Sequence, residues 1–481
     1  MTVLHIAVVG AGLAGLTAAW LLGREHRVTL FERHARPGFT AHSVAVPLHG
    51  NGADSVRVDV PLRVFYPGYY PTLTKLYAEL GVATEAVSYA TTFFDDLGGA
   101  RRPFFRYRNV QLFGRSQGYV LPQDLATSRA RRVLAGALRF QREAPLALSR
   151  GALAGLSLSA YVEAERFPRE FIEGLLLPAV ATICTCPTAA ARDFPAEVIV
   201  GYWARGLVRE SVRRAVHGAD DAEARLLARV ATRCFGADVQ RVAADDDGAF
   251  VTLADGLPQR FDHVVLASPA HHALRVLAAP TAREAALLSA VPHRAVEVVM
   301  HTDDALMPAR RRDWSPVNAC IEPGAAQPMT TIWVNAVQPA LRGSPPLFQT
   351  VAPLAAPREG TVLARAHFER PVVDAASQRA IAALPALHAE AGRRLWFCGS
   401  YAAAGIPLLE GAVASACAAV AALEQAQPAS RRAASCTAAR MRGEVPQRQM
   451  FPDRAASMSV SVGFGFSFSS AAAAITWPLW Q

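Results

Sequence analysis

Three glycines and one carboxylate carry the most specific chemistry in this chain. Gly10, Gly12 and Gly15 follow the apolar run Ile6–Val9 and open a second apolar run, Leu13–Leu22; Glu32 ends a third, Val28–Glu32. The Gly-x-Gly-x-x-Gly spacing suits a buried strand that turns sharply into a helix. Gly10 supplies the turn, Gly12 removes the side chain that would block a pyrophosphate, and Gly15 lets the helix pack on the strand. Ala11, Leu13 and Ala14 fill the intervening positions, so backbone lines the turn. The helix start then offers unpaired N–H groups and a positive dipole end to phosphates. Glu32 stands where a carboxylate accepts hydrogen bonds from an adenosine ribose, with Arg33 and Arg36 just beyond it. A signal peptide would need a basic start and a small-residue cleavage site. A membrane span of roughly 20 apolar residues would rarely carry three glycines at this spacing. Dinucleotide binding is the expectation.

Near the far end the pattern recurs. Leu395–Cys398 reads as a buried strand, Gly399 and Ser400 start a loop, and a helix begins near Glu410-Gly411 and runs on through Ala412 and Val413. Strand, glycine and helix again aim a helix N-terminus at a ligand. Between these ends lie three β-type runs, Ala237–Val242, Ala249–Leu253 and His263–Ala267, the first two joined by an Asp-Asp-Asp-Gly turn at 245–248. Residues 56–65 alternate like a strand, and 69–80 carry apolar residues at helical spacing up to Gly81. Residues 90–120 predict short strands, 123–230 helices broken by prolines, and 295–300 and 329–335 strands of another sheet. The expected fold class is α/β, with a discontinuous Rossmann-type domain and an inserted α+β domain.

At 481 residues the chain exceeds what one core usually holds. Hydrophobic content of 52% against 19% charged residues fits a packed globular enzyme and excludes a disordered one. The seven cysteines are odd in number and scattered, and Cys184-Thr-Cys186 is too tight for a paired metal motif. Reduced thiols in a cytoplasm are expected, and no metal site is read. The net charge of +9 is dispersed: six arginines against Glu444 and Asp453 place +4 of it in residues 427–481. No basic helix with interleaved aromatics appears, so nucleic acid is excluded as a partner. Weak attraction to an anionic membrane surface remains open.

Together these segments resemble the flavin-containing amine oxidase and desaturase superfamily over roughly residues 4–425. His301-Thr302-Asp303, Trp333-Val334-Asn335 and Phe397-Cys398-Gly399 look more closely like bacterial FAD-dependent proteins associated with cyclopropane fatty acid synthases. The resemblance implies FAD held by residues 1–85, 220–275 and 390–426, a substrate domain at 86–219 and 276–389, and a disordered or variable tail at 427–481. It places Gly10 to Gly15 at the pyrophosphate, Glu32 at the ribose and the Val239 backbone at the adenine. Gly399 and Ser400 fall at the ribitol, and Gly411, Ala412 and Val413 at the flavin pyrimidine. This sequence departs from the pattern in reading Gly38-Phe39-Thr40 where a basic residue is usual, a role left to Arg36, and in having Ser400 where an acid is common.

Amine oxidases of the superfamily typically hold a lysine near the flavin and a tyrosine before the last Glu-Gly. Here the one lysine is Lys75, and Leu408-Leu409 precede Glu410. The wording Gly399-Ser-Tyr401, Gly405-Ile-Pro407 and Glu410-Gly-Ala-Val413 is instead similar to the carotenoid- and squalene-type desaturases. The resemblance thus implies dehydrogenation of a fatty acyl or isoprenoid substrate, with oxygen or a quinone accepting the electrons. An amine oxidase releasing peroxide, and a non-catalytic flavin-binding protein, are the alternatives. His271 and His272 read as surface or cap residues; His301 reads as a structural partner of Asp303 or an acid/base group. Trp333 and Asn335 read as core or cavity wall. No catalytic base is named by the sequence.

Overall fold

The computed structural model describes residues 3–47, 55–96, 99–112, 115–206, 210–254 and 256–426, with the backbone of 475–476. Of the tail, only the strand Ile475–Thr476 falls within this; the rest lies outside the described residues.

Five short strands form one parallel sheet in the order Thr232–Phe235, Arg27–Glu32, His5–Val9, His263–Leu266 and Leu395–Phe397. The central strands are continuous in their apolar residues because both faces are covered, as parallel sheets require. The helix Leu13–Leu22 is buried at nine of its ten positions, packed between this sheet and the C-terminal helix Leu409–Gln425. The chain thus returns to one sheet from three distant segments. The edge strand Thr232–Phe235 was not foreseen, since its TRCF sequence carries no run of apolar residues.

A three-stranded antiparallel sheet, Val239–Ala244, Ala249–Leu253 and Gln259–Phe261, flanks the parallel one. A larger mixed sheet runs in the order Val362–Pro371, His293–His301, Phe348–Val351, Met329–Trp333, Val317–Cys320, Thr91–Asp95, Arg102–Leu112 and Arg115–Val120, with Ile475–Thr476 on its edge. Its neighbours are antiparallel except Val317–Cys320 with Thr91–Asp95, the parallel pair that joins chain segments more than two hundred residues apart. Helices from Ser128–Ser149 to Ala196–Ala204 pack beside it and belong to the main core.

The predicted helix at 69–80 begins at Pro71, whose missing N–H is harmless in a first turn. Leu73, Leu76, Tyr77 and Leu80 form its buried face, and Gly81 ends it at φ +69°. The strand expected over 56–65 is shorter, Ser55–Val58, and the chain beyond it turns inward as irregular backbone toward the site. Residues 334–335 leave the strand predicted there and enter the short helix Val334–Val337.

Candidate cofactor and substrate site

The glycine turn, Glu32 and Gly399 all lie at the carboxyl ends of strands of the one parallel sheet, the crevice in which open α/β sheets bind ligands. Gly10 has φ +104°, which a side chain would strain, and its N–H donates to the Phe31 carbonyl at 2.8 Å. A Cβ at Gly15 would fall 1.8 Å from the Gly10 carbonyl oxygen, so the helix lies directly on the turn. Gly12 is different: a Cβ there would meet nothing within 4 Å. The protein's own packing does not demand a glycine at this position, and the space before it is open. No side chain caps this helix, so its first N–H groups face that space.

Glu32 is buried, and its Oε2 accepts from the Ala11 N–H at 2.8 Å while Oε1 accepts from the His34 N–H at 3.0 Å. The carboxylate is therefore fixed at the rim of the turn, with lone pairs left for ribose hydroxyls. The Ala237 N–H donates to the Glu32 carbonyl at 2.9 Å, which brings the backbone leading to Val239 to the same rim. Gly399 follows the fifth strand and exchanges hydrogen bonds with the Ser415 hydroxyl at 3.0 and 2.8 Å. Gly411 lets the C-terminal helix approach this loop: a Cβ there would lie 2.7 Å from the Ser400 carbonyl oxygen. That helix also starts without a side-chain cap, but the Ala412 N–H donates to the Leu408 carbonyl at 3.2 Å, so of Gly411, Ala412 and Val413 it is Gly411 that belongs to the unpaired first turn. The residue before them serves another element. Glu410 accepts from the Thr72 and Leu73 N–H groups, both at 3.0 Å, and so caps the helix Pro71–Leu80.

Arg33 and Arg36 are exposed. A cation that sequence reading missed stands closer to the turn. Arg63 donates to the Phe39 carbonyl and stacks over the Phe39 ring at 4.2 Å, while the Phe39 N–H donates to the Ala11 carbonyl at 3.1 Å. Its Nε is buried without a hydrogen-bond partner among the described residues. Nothing in its local sequence singled it out; its approach to Phe39 depends on the irregular backbone after Val58. Beside it, Thr40 donates to Glu223 at 2.7 Å, and burial pushes that carboxyl up to about 6.

One residue beyond Arg63 the chain enters the wall of an apolar cavity of about 170 Å³. Val64, Phe65, Tyr66 and Tyr70 form one side, Tyr89, Phe93, Phe105 and Tyr107 another, and Leu175, Tyr202 and Trp203 close it. Among the described residues no charged one lines it. Burial pushes the Tyr89 and Tyr107 phenols up to about 12, and that of Tyr66 higher still, so the phenols are neutral near pH 7. Tyr69, within the same turn, meets Tyr202 edge to face with ring centroids 4.5 Å apart and accepts from the Ile406 N–H at 2.9 Å, which ties the wall to the loop before the C-terminal helix. The glycine turn and residues 399–413 do not themselves line the cavity; Arg63, one residue before its wall, and Tyr69, beside Tyr70, connect them to it. A wider polar groove of about 490 Å³, with Arg101, Arg102 and Arg310 on its rim, includes none of the glycine-motif residues.

The remaining candidates lie elsewhere. His301 is fully buried, bonded to Thr350 at 2.7 Å and to the Asp303 N–H at 3.2 Å, and does not line the cavity. Asn335 holds the carbonyls of Leu341, Ser344 and Pro345, a loop-organising role, and Trp333 packs on Trp314. Lys75 is exposed on its helix. Leu408 and Leu409 are half-buried against the main core. His271 and His272 cap nothing; both pair with Glu369. Among the described residues no helix is long and apolar enough to cross a membrane.

Residues 8–80 match the NAD(P)-binding Rossmann-like domain. No curated protein matches the sequence. Among solved structures, a CLA-producing fatty acid isomerase from P. acnes superposes with a TM-score of 0.58 at 15% identity, over 86% of this chain and 97% of that one. Cyclohexylamine oxidase from Brevibacterium oxydans gives 0.57 at 13% identity, over 88% and 100%. Wild-type putrescine oxidase bound to putrescine gives 0.57 at 14% identity, over 88% and 99%. At such identities the likeness establishes the fold, a Rossmann-like parallel sheet with an additional sheet domain, as the glycine motifs predict.

Proposed function

We propose, with that shared fold as the premise, that this chain is an FAD-dependent oxidoreductase that dehydrogenates a hydrophobic, lipid-like substrate. The observation that carries the reading is the aromatic cavity, with no charged residue in its lining among the described residues, whose wall begins one residue beyond Arg63. Gly10, Ala11, Gly12, Leu13, Ala14 and Gly15 would hold the pyrophosphate on backbone, with Arg63 or Arg36 as the balancing cation. Glu32 and the Val239 backbone would take the adenosine, Gly399 and Ser400 the ribitol, and Gly411, Ala412 and Val413 the pyrimidine edge. Open space at Gly12, two uncapped helix starts and a fixed carboxylate are the features such a ligand requires. When bound, FAD supplies a hydride acceptor, and oxygen or a quinone removes the electrons.

The chain's own contribution is orientation and dryness. The cavity wall desolvates an acyl or isoprenoid chain, and the ring contacts of Tyr66, Tyr69, Tyr70 and Tyr202 keep the wall rigid. Among the described residues of this lining a buried ammonium would meet no carboxylate, a costly placement. The tyrosines do favour a second reading, an amine oxidase, because their faces attract cations. The arginine-rimmed groove suits weak contact with an anionic membrane surface that would deliver lipid. The two readings separate by product. Fatty acyl or isoprenoid lipids incubated with FAD-loaded protein should return products lighter by one pair of hydrogens. Peroxide release from polyamines or aryl amines, with lipids untouched, would replace this reading by the second.

A further inference from the structure

Away from the cavity, His271 and His272 begin the short helix Ala270–Val276, which follows the fourth parallel strand, and Glu369 lies on Val362–Pro371 at the edge of the large sheet. Neighbouring helical side chains normally diverge by about 100°. Here the two imidazoles converge, with ring centroids 4.2 Å apart, and their Nε2 atoms face the two oxygens of the Glu369 carboxylate at 3.1 and 3.2 Å. One potential ligand atom from each of the three lies within 4.8 Å of the others.

Those separations have a chemical meaning. Metal–nitrogen and metal–oxygen bonds of about 2.1 Å place neighbouring ligand atoms roughly 3.0 Å apart at right angles and roughly 3.4 Å apart at the tetrahedral angle. The two imidazole–carboxylate separations fall between, and the two imidazole ligand atoms lie within 4.8 Å of each other. The side chains of His271 and Glu369 are 40% and 39% exposed and that of His272 14%, so an ion and a completing water have access. The His293 ring lies tilted beside His271 with centroids 4.7 Å apart and Nδ1 3.0 Å from the Val291 carbonyl, and walls one side. Arg33 and Arg275 carry the adverse charge near His272 and keep the affinity modest.

We propose that His271, His272 and Glu369 form a binding site for one divalent transition-metal ion of the zinc type. Two imidazoles and a carboxylate with an open position match that ion's ligand preferences and those of cobalt or nickel. The ion would pin the Rossmann-type portion to the large sheet. The site is independent of the flavin reading.

Untagged full-length protein, stripped with chelator, is titrated with Zn²⁺ by calorimetry and with Co²⁺ by visible absorption, and melted with and without Zn²⁺. The wild type should bind one ion per chain and melt higher in zinc. H271A and E369Q, both at exposed positions, should bind at least about tenfold more weakly and lose the zinc-dependent rise. Wild type that neither binds nor is stabilised overturns the proposal. So do variants that bind as tightly as wild type.

Discussion

Replacing Gly12 by alanine separates what the glycine turn does for the fold from what it does for a ligand. Gly12 has φ −72° and ψ 175°, open to any residue, and the added methyl would meet nothing within 4 Å. Losing glycine at a helix N-cap costs at most about 1 kcal/mol. The stiffer unfolded chain returns about 0.4–1 kcal/mol of that. The net change in stability is therefore under about 1 kcal/mol. Gly15→Ala is the internal contrast. Its methyl would sit 1.8 Å from the Gly10 carbonyl oxygen, well inside contact distance, and must push the helix off the turn. Overpacking of this kind costs about 1–3 kcal/mol. The ligand ranks the first variant differently, because its methyl occupies the space assigned to the pyrophosphate. FAD affinity should fall at least tenfold, or about 1.4 kcal/mol. Circular-dichroism melts of flavin-free protein and FAD titrations followed by fluorescence read the two effects separately. A Gly12→Ala protein that binds FAD as tightly as wild type would refute the pyrophosphate assignment.

Three further outcomes follow from other parts of the site. Glu410→Ala frees two buried N–H groups at the start of the helix Pro71–Leu80 and should cost about 2 kcal/mol, measurable as a lower urea midpoint, with Gln recovering part of the loss. His301 and His388 are buried, and desolvation pulls each from 6.5 to about 4; each also uses one ring nitrogen as an acceptor, which protonation would abolish. Between those pH values the unfolded chain binds more protons than the folded one, so stability should drop as pH falls from 6.5 to about 4 and level off below. Each histidine accounts for up to about 3 kcal/mol, and a pH-flat denaturation midpoint across that window would exclude the effect. Ala179→Leu adds a branched side chain to the cavity wall and should slow turnover of long apolar substrates with FAD content unchanged; equal turnover would place the substrate elsewhere.

What the sequence made legible was local. The strand–glycine–helix units at Gly10 and Gly399 are written in contiguous residues, because a buried parallel strand and a tight turn each leave a mark on composition. The helix at Pro71–Leu80 and the hairpin around Asp245–Gly248 were readable for the same reason. The unreadable parts are those that distant segments build. Arg63 reaches Phe39 only because irregular backbone carries it back to the turn, and Glu410 caps a helix more than three hundred residues earlier. The cavity draws its wall from separate stretches between Val64 and Ala319, none with a pattern of its own. The pairing of His271 and His272 with Glu369 depends on two sheets meeting. His301 shows the converse: a histidine beside an aspartate suggested chemistry, but its full burial and bond to Thr350 make it part of the frame.

The most direct test of the central claim is the visible absorption spectrum of the purified chain, taken with added FAD and then under argon with fatty acyl or isoprenoid lipid. The account predicts flavin bands that stay with the protein through gel filtration and bleach when lipid is added. A colourless protein that refuses added FAD would contradict it.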